Sequence, residues 1–161
     1  MRKILFSIIA IFLLSGCSGY KPIFGQANLK FTISSYEING DKNLGNMLYS
    51  KLYNTSLSKN NEQNIKNLNF SINVSKDKIS TSKDSSGKTL EYKISLSTKI
   101  EINDFASGEK ILNRNFTSSS SYKIQDQYSD TIRLENQTIE NLINKTFQEI
   151  LLNLSKNISS Q

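Results

Sequence analysis

The sequence predicts an α+β domain: a four-stranded, mainly antiparallel sheet with two helices packed on one face, in the order β-α-β-β-β-α. Three observations predict it. Apolar and polar residues alternate through the middle of the chain, so each strand there has one dry and one wet face. Two other stretches repeat their apolar residues every three or four positions, as one-sided helices do. Short runs rich in Gly, Ser, Asn and Asp separate these stretches and supply turns.

The first strand is read from Leu29, Phe31 and Ile33, after which the alternation changes phase to Tyr36 and Ile38. Such a change marks a bulge or bend near Ser34-Ser35. Asn39-Gly40-Asp41 breaks the strand, and Asp41 or Asn43 can cap a helix. Leu44, Met47, Leu48 and Leu52, with Thr55 at the end, share one helical face, which predicts a helix over about 42–58. Gly45 weakens it slightly.

Three more strands follow. Leu68, Phe70, Ile72 and Val74 oppose Asn67, Asn69, Ser71 and Asn73. Leu90, Tyr92, Ile94, Leu96, Ile100 and Ile102 alternate with Glu91, Lys93, Ser95, Ser97, Lys99 and Glu101. Leu112, Phe116, Tyr122 and Ile124 continue the scheme against Asn113, Asn115 and Lys123. Ser85-Ser86-Gly87 and Asp104-Phe105-Ala106-Ser107-Gly108 supply the turns. After Ser129 or Asp130 as N-cap, Ile132, Ile139, Leu142, Ile143, Phe147, Ile150, Leu151, Leu154 and Ile158 form the stripe of the longest helix. Lys156 suits its last turn.

The N-terminal stretch is excluded from this fold. Arg2 and Lys3 precede an apolar run from Ile4 to Leu14, of the roughly 7–15 residues typical of a signal segment. That is too short for a helix crossing the bilayer core, which needs about 20 residues. Leu14-Ser15-Gly16-Cys17 resembles the bacterial lipobox, in which the thiol receives a diacylglycerol and the freed amine is acylated. One acyl chain anchors only marginally, so a multiply acylated Cys17 is a lasting tether. A plain signal peptide with an incidental cysteine is the alternative, but a secreted protein rarely keeps one unpaired thiol. The expected division is therefore a cleaved signal peptide over 1–16, a lipidated linker over 17–28 and one domain over 29–158. Pro22 stiffens the linker, and Tyr20, Ile23 and Phe24 pin it to the domain or a partner. Ser18 stands where retention in the inner membrane favours Asp, so outer-membrane sorting is expected.

The residue inventory closes most catalytic routes. The chain has no histidine and one cysteine, so imidazole bases, His-based triads and zinc-thiolate sites are excluded once Cys17 is acylated. The acid pairs Asp126 with Asp130 and Glu135 with Glu140 fall near a helix start, where acids belong in any case. No glycine-rich phosphate loop is present. The expectation is a protein with no catalytic residues, metal or cofactor. The formal net charge of +6 falls to +4 once Arg2 and Lys3 leave, a mild excess that favours acidic partners without naming one. Nucleic acid is not expected to meet a tethered, exported chain.

Gly19-Tyr20-Lys21-Pro22-Ile23-Phe24-Gly25, right after the lipobox, resembles the glycine-aromatic-basic-proline-aliphatic-aromatic-glycine segment of the LptE family of lipopolysaccharide-assembly lipoproteins in its alphaproteobacterial form. Ser18 is an extra residue before it. Tyr128-Ser129 with Glu135-Asn136 is similar to the opening of that family's last helix, with Asn136 where an acid is commoner. The resemblance implies the same fold. It also implies an outer-membrane lipoprotein on the periplasmic face that plugs the β-barrel LptD, assists its assembly and takes part in lipopolysaccharide insertion into the outer leaflet.

Two surfaces suit binding. The excursion between the second and third strands carries Lys76, Lys78, Lys83 and Lys88, with Asp77 and Asp84 among them. Such an arm can meet lipopolysaccharide phosphates, or it is simply a solvated loop. The wet sheet face, rich in Asn, Ser and Thr, can dock inside a polar-lined barrel. The rival functions are another periplasm-facing lipoprotein adaptor, such as a lipid-transport subunit or secretin pilotin, and an enzyme acting through paired carboxylates.

Overall fold

The computed structural model describes residues 31–57 and 65–159. Along them run β1 (Phe31–Gly40), α1 (Lys42–Leu57), β2 (Lys66–Lys83), β3 (Thr89–Asp104), β4 (Lys110–Lys123) and α2 (Tyr128–Ser159). This is the expected β-α-β-β-β-α order. The signal segment 1–16, Cys17, the linker 17–28 and Leu29 lie outside the described residues.

The strands lie in chain order across one sheet. β2, β3 and β4 pair antiparallel because tight turns join them, whereas β1 runs parallel to β2 because α1 carries the chain back between them. The expected bulge is present. Pairing steps from Ile33 opposite Leu68 to Ser35 opposite Asn69, leaving Ser34 as the extra residue. It returns Tyr36 and Ile38 to the helix side of the sheet, where Tyr36 stacks on Tyr49 of α1 at 3.9 Å between ring centres.

The corner from β1 into α1 is built from two residues. Gly40 has φ +74°, and a Cβ there would overlap the Val74 carbonyl oxygen, which accepts the Asp41 N–H at 2.7 Å. Asp41 then caps α1: its Oδ1 accepts the N–H groups of Asn43 and Leu44, each at 3.1 Å. Gly45 does more than weaken the helix. A Cβ there would overlap Cγ2 of Ile38, so glycine lets α1 lie close against β1.

The core lies between the sheet and the helices. Leu44, Leu48 and Leu52 of α1 and Leu142, Ile143, Ile150 and Leu154 of α2 cover Leu68, Phe70, Ile72, Val74, Ile94, Leu96, Ile100, Ile102, Leu112 and Phe116. Thr98 fills the gap in the apolar row of β3 and is fully buried, with no partner for its hydroxyl among the described residues. Three expectations are corrected. Met47 and Ile132 stand at the margins of their stripes and are 38% and 36% exposed. Leu90, expected on the dry face, is 44% exposed because it sits near the far end of the hairpin. Ser129 and Asp130 lie inside the first turn of α2 and do not cap it; the Thr131 hydroxyl instead accepts the Gln125 N–H at 2.9 Å.

Helix length decides how far the cover extends. The 32 residues of α2 span about 48 Å, matching the roughly 46 Å of the 14-residue strand β4. The 16 residues of α1 span only about 24 Å. β1 pairs with Lys66–Val74 and no further, so the second half of β2, from Ser75 to Lys83, is exposed along its length.

Candidate functional site

The lysine excursion is strand, not loop. β2 and β3 continue together past the end of β1 as a two-stranded arm, pairing from Ser75 with Ser97 to Lys83 with Thr89. The arm closes through Asp84, whose Oδ1 accepts the backbone N–H of Ser86 and Lys88, each at 2.9 Å, and the Ser86 hydroxyl at 2.6 Å. The Ser86 hydroxyl, then the Lys88 N–H, hold the Asp84 carboxyl below the usual carboxylate range. Lys83 and Lys88 flank this tip. Lys76 and Lys78 lie farther back on one face of β2, opposite Leu96 and Ile94. The structure thus divides the four lysines into a tip pair and a basal pair. Beyond Val74, β2 is an outer strand, and charged side chains, lysine especially, discourage unwanted strand pairing at such an edge.

Lys78 is engaged. Its ammonium lies 2.6 Å from Oε2 of Glu135 on α2, which also accepts the Tyr122 hydroxyl at 2.7 Å. The same ammonium sits over the rings of Tyr92 and Tyr122, at 4.5 and 5.5 Å from their centres. Burial pulls the Lys78 pKa down, but the bond to Glu135 and the neighbouring Tyr122 outweigh it and leave it raised. Burial likewise pushes Glu135 up, and its bonds to Lys78 and Tyr122 win, leaving its carboxyl below the ordinary range. The cluster ties the arm to the start of α2.

Glu135→Gln is expected to lower stability at neutral pH by about 1.5 kcal/mol, the scale of a hydrogen bond to a charged group. The native advantage is fully present above the unfolded glutamate value of about 4.3 and is lost as pH falls through the lower folded value. On the alkaline side it is fully present below about 10.4 and is lost as pH rises through the raised Lys78 value. Urea unfolding of both proteins across that range measures the difference, and a constant gap at pH 3 and pH 7 would contradict the assignment.

Among the described residues no helix covers the other face of the sheet. Cross-strand rows of polar side chains run over it: Asn39, Asn73, Lys99 and Asn115 form one row, and Ser75, Ser97 and Thr117 the next. Between them lies a depression of about 340 Å³ lined by Asn73, Ser75, Ser97, Lys99, Asn113, Arg114 and Asn115. No carboxylate lines it. Glu101, opposite Asn113, is paired with Lys110 at 3.4 Å, and Glu37 accepts the Asn39 amide at 2.9 Å. Alternation had put Lys99, Asn113 and Asn115 on the wet face. The alignment of Asn115 with Lys99 depends on the register, which the sequence pattern does not carry; Arg114, opposite the buried Ile100, alternates to the helix side of β4.

One member of each acid pair has a partner of its own. Asp130 pairs with Arg133 at 3.4 Å within α2, and Glu135 is committed to Lys78 and Tyr122. Among the described residues no cluster of His, Cys, Asp or Glu could hold a metal ion, and no helix is long and apolar enough to cross a membrane.

No family model and no curated protein matches the sequence. Solved structures do match the fold. One, from Caulobacter crescentus and described as a candidate lipoprotein, has 13% identity and a TM-score of 0.57 over 80% of this chain and 92% of its own. Another, an uncharacterized lipoprotein B from Nitrosomonas europaea, has 16% identity and a TM-score of 0.57 over 88% of this chain and 94% of its own. At these identities the likeness is one of fold.

Proposed function

We propose that this chain is an outer-membrane lipoprotein, tethered through Cys17, whose domain plugs and assists assembly of the LptD β-barrel and takes part in lipopolysaccharide insertion. The observation that carries this reading is the two-sided character of the sheet: one face buried under both helices, the other polar and, among the described residues, uncovered. A face rich in Asn, Ser and Thr remains soluble alone and can exchange its water for the polar inner wall of a barrel. The lipobox-like Leu14–Cys17 segment and the lipoprotein character of the two fold neighbours support the tether. In this reading the protein is not an enzyme. The tip lysines Lys83 and Lys88, with Lys76, face anionic headgroups, while Lys78 serves the arm itself.

Purification of the tagged full chain from detergent-solubilised membranes, with mass spectrometry of what accompanies it, tests the reading. An outer-membrane barrel is expected as the main partner, and fatty-acid label on the wild type but not on Cys17→Ser. A lipidated protein that returns free of any barrel, or with a secretin or transport complex instead, overturns the LptD assignment.

A further inference from the structure

We infer that the outer edge of β4 takes an extended, acidic segment of a partner protein as a fifth strand. The backbone of that segment pairs with residues 112–122, and its carboxylates meet Lys93, Lys99, Arg114 and Lys123. The inference goes beyond the barrel reading and does not rest on it: that reading uses a face of the sheet, this one an edge.

β4 closes one side of the sheet, and its pairing with β3 runs without a shift from Leu112 to Lys123. Side chains hold its backbone only at the two ends. The Asn157 amide donates to the Ile111 carbonyl at 2.7 Å, and the Gln125 amide to the Lys123 carbonyl at 3.2 Å. Between them, among the described residues, no bond beyond the β3 ladder reaches the backbone of residues 112–122. Successive residues of a strand point to opposite faces, and residues 113–115 and 119–121 are all exposed, so α2 does not wrap this edge there.

Open edges are normally guarded against strand pairing by charge, proline or a bulge. The free stretch of β2 carries Lys76, Lys78 and Lys83 with shifts of register near its end, and β1 carries a bulge and Glu37. β4 has no charge, proline or bulge from Asn115 to Tyr122. An edge left open in this way accepts a strand through main-chain bonds, and the side chains beside it set which strand. Those side chains are cationic here. Lys99 and Lys93 stand behind the small Asn115 and Ser121 on the open face, Lys123 ends that row, and Arg114 lies on the helix side. None of the four has an ion pair among the described residues. The nearby carboxylates are engaged: Glu101 with Lys110, and Glu91 with the Thr81 hydroxyl at 3.0 Å. A second copy of this chain would bring an equally cationic edge, so charge selects an acidic strand.

The test is a titration of the detergent-solubilised full chain with synthetic peptides about eight residues long, followed by amide hydrogen exchange along β4. Three probes are compared: alternating glutamate and valine, alternating lysine and valine, and the glutamate peptide methylated at every amide nitrogen. The glutamate peptide is expected to bind about tenfold more tightly than the lysine peptide and to slow exchange of the alternate amides that face away from β3. The methylated peptide is expected to do neither. Lys99→Glu combined with Lys123→Glu is expected to abolish the preference for glutamate, whereas Lys42→Glu combined with Lys51→Glu, the same change of charge on α1, keeps it. Equal binding by the methylated peptide overturns strand addition, and equal binding by the lysine peptide overturns an acidic partner. No slowing of exchange by the glutamate peptide overturns the proposal outright. So does slow exchange at every residue of β4 before any peptide is added, which means that a second copy or another part of this chain already occupies the edge. Because the probes report on the wild type, the result is decided even if a variant folds poorly, and it is independent of which partner co-purifies from membranes.

Discussion

Alanine at Gly40 is expected to destabilise the domain by about 3 kcal/mol, a large share of the roughly 5–15 kcal/mol available to a protein of this kind. Two costs add. The backbone at Gly40 has φ +74°, a left-handed conformation that costs a residue with a Cβ about 1–2 kcal/mol. The new methyl would also meet the carbonyl oxygen of Val74, a backbone atom already held by the Asp41 N–H. Relief requires the end of β1 to move away from β2, and Asp41 would lose its position as the cap of α1. Urea unfolding of Gly40→Ala measures the loss. Gly87→Ala supplies the comparison: it has the same sign of φ, at +86°, but open space around it, so it should lose only the conformational part. Equal losses at the two positions would show that the contact with Val74 carries no weight.

Alanine at Ile143 is expected to cost about 3 kcal/mol, within the roughly 2–5 kcal/mol found when a large aliphatic core residue is truncated. Ile143 is fully buried under α2, in the same cluster as Ile100 and Phe116, so truncation removes packing that the neighbours cannot restore. The same change at Ile132, 36% exposed at the start of that helix, should cost less than about 1 kcal/mol. By sequence spacing the two isoleucines belong to one stripe. A comparable loss at both, measured from denaturant midpoints, would mean that the start of α2 is covered by something beyond the described residues.

That pair of isoleucines marks what the sequence could reveal and what it could not. Alternation is local, so the wet and dry faces of three strands, the bulge at Ser34 and both hairpin turns were legible residue by residue. The cap was legible down to two candidates, Asp41 and Asn43, because capping needs only a side-chain oxygen two or three residues before the N–H groups that donate to it. Where a cover ends is not local. Nothing between Asp77 and Lys83 states that α1 stops short, so the stretch read as an excursion, hairpin arm or solvated loop, and not as a continuation of the two strands. For the same reason Lys78 read as one of four equivalent cations, when Glu135, 57 positions later, fixes its role. Thr98 interrupted the apolar row in sequence and fills it in space. The row of Asn39, Asn73, Lys99 and Asn115 was invisible because a cross-strand row is set by the register that turns and bulges impose.

The unequal reach of β1 and β2 also bears on how the sheet assembles. β2 and β3 are joined by the brief turn Asp84–Lys88, so closing that hairpin confines little chain. β1 can join only after α1 and the residues following it have been threaded back between two parallel strands, a costlier closure in chain entropy. The overhanging arm belongs wholly to the cheaper event: it is the portion of the sheet that can form before its first strand has found its place.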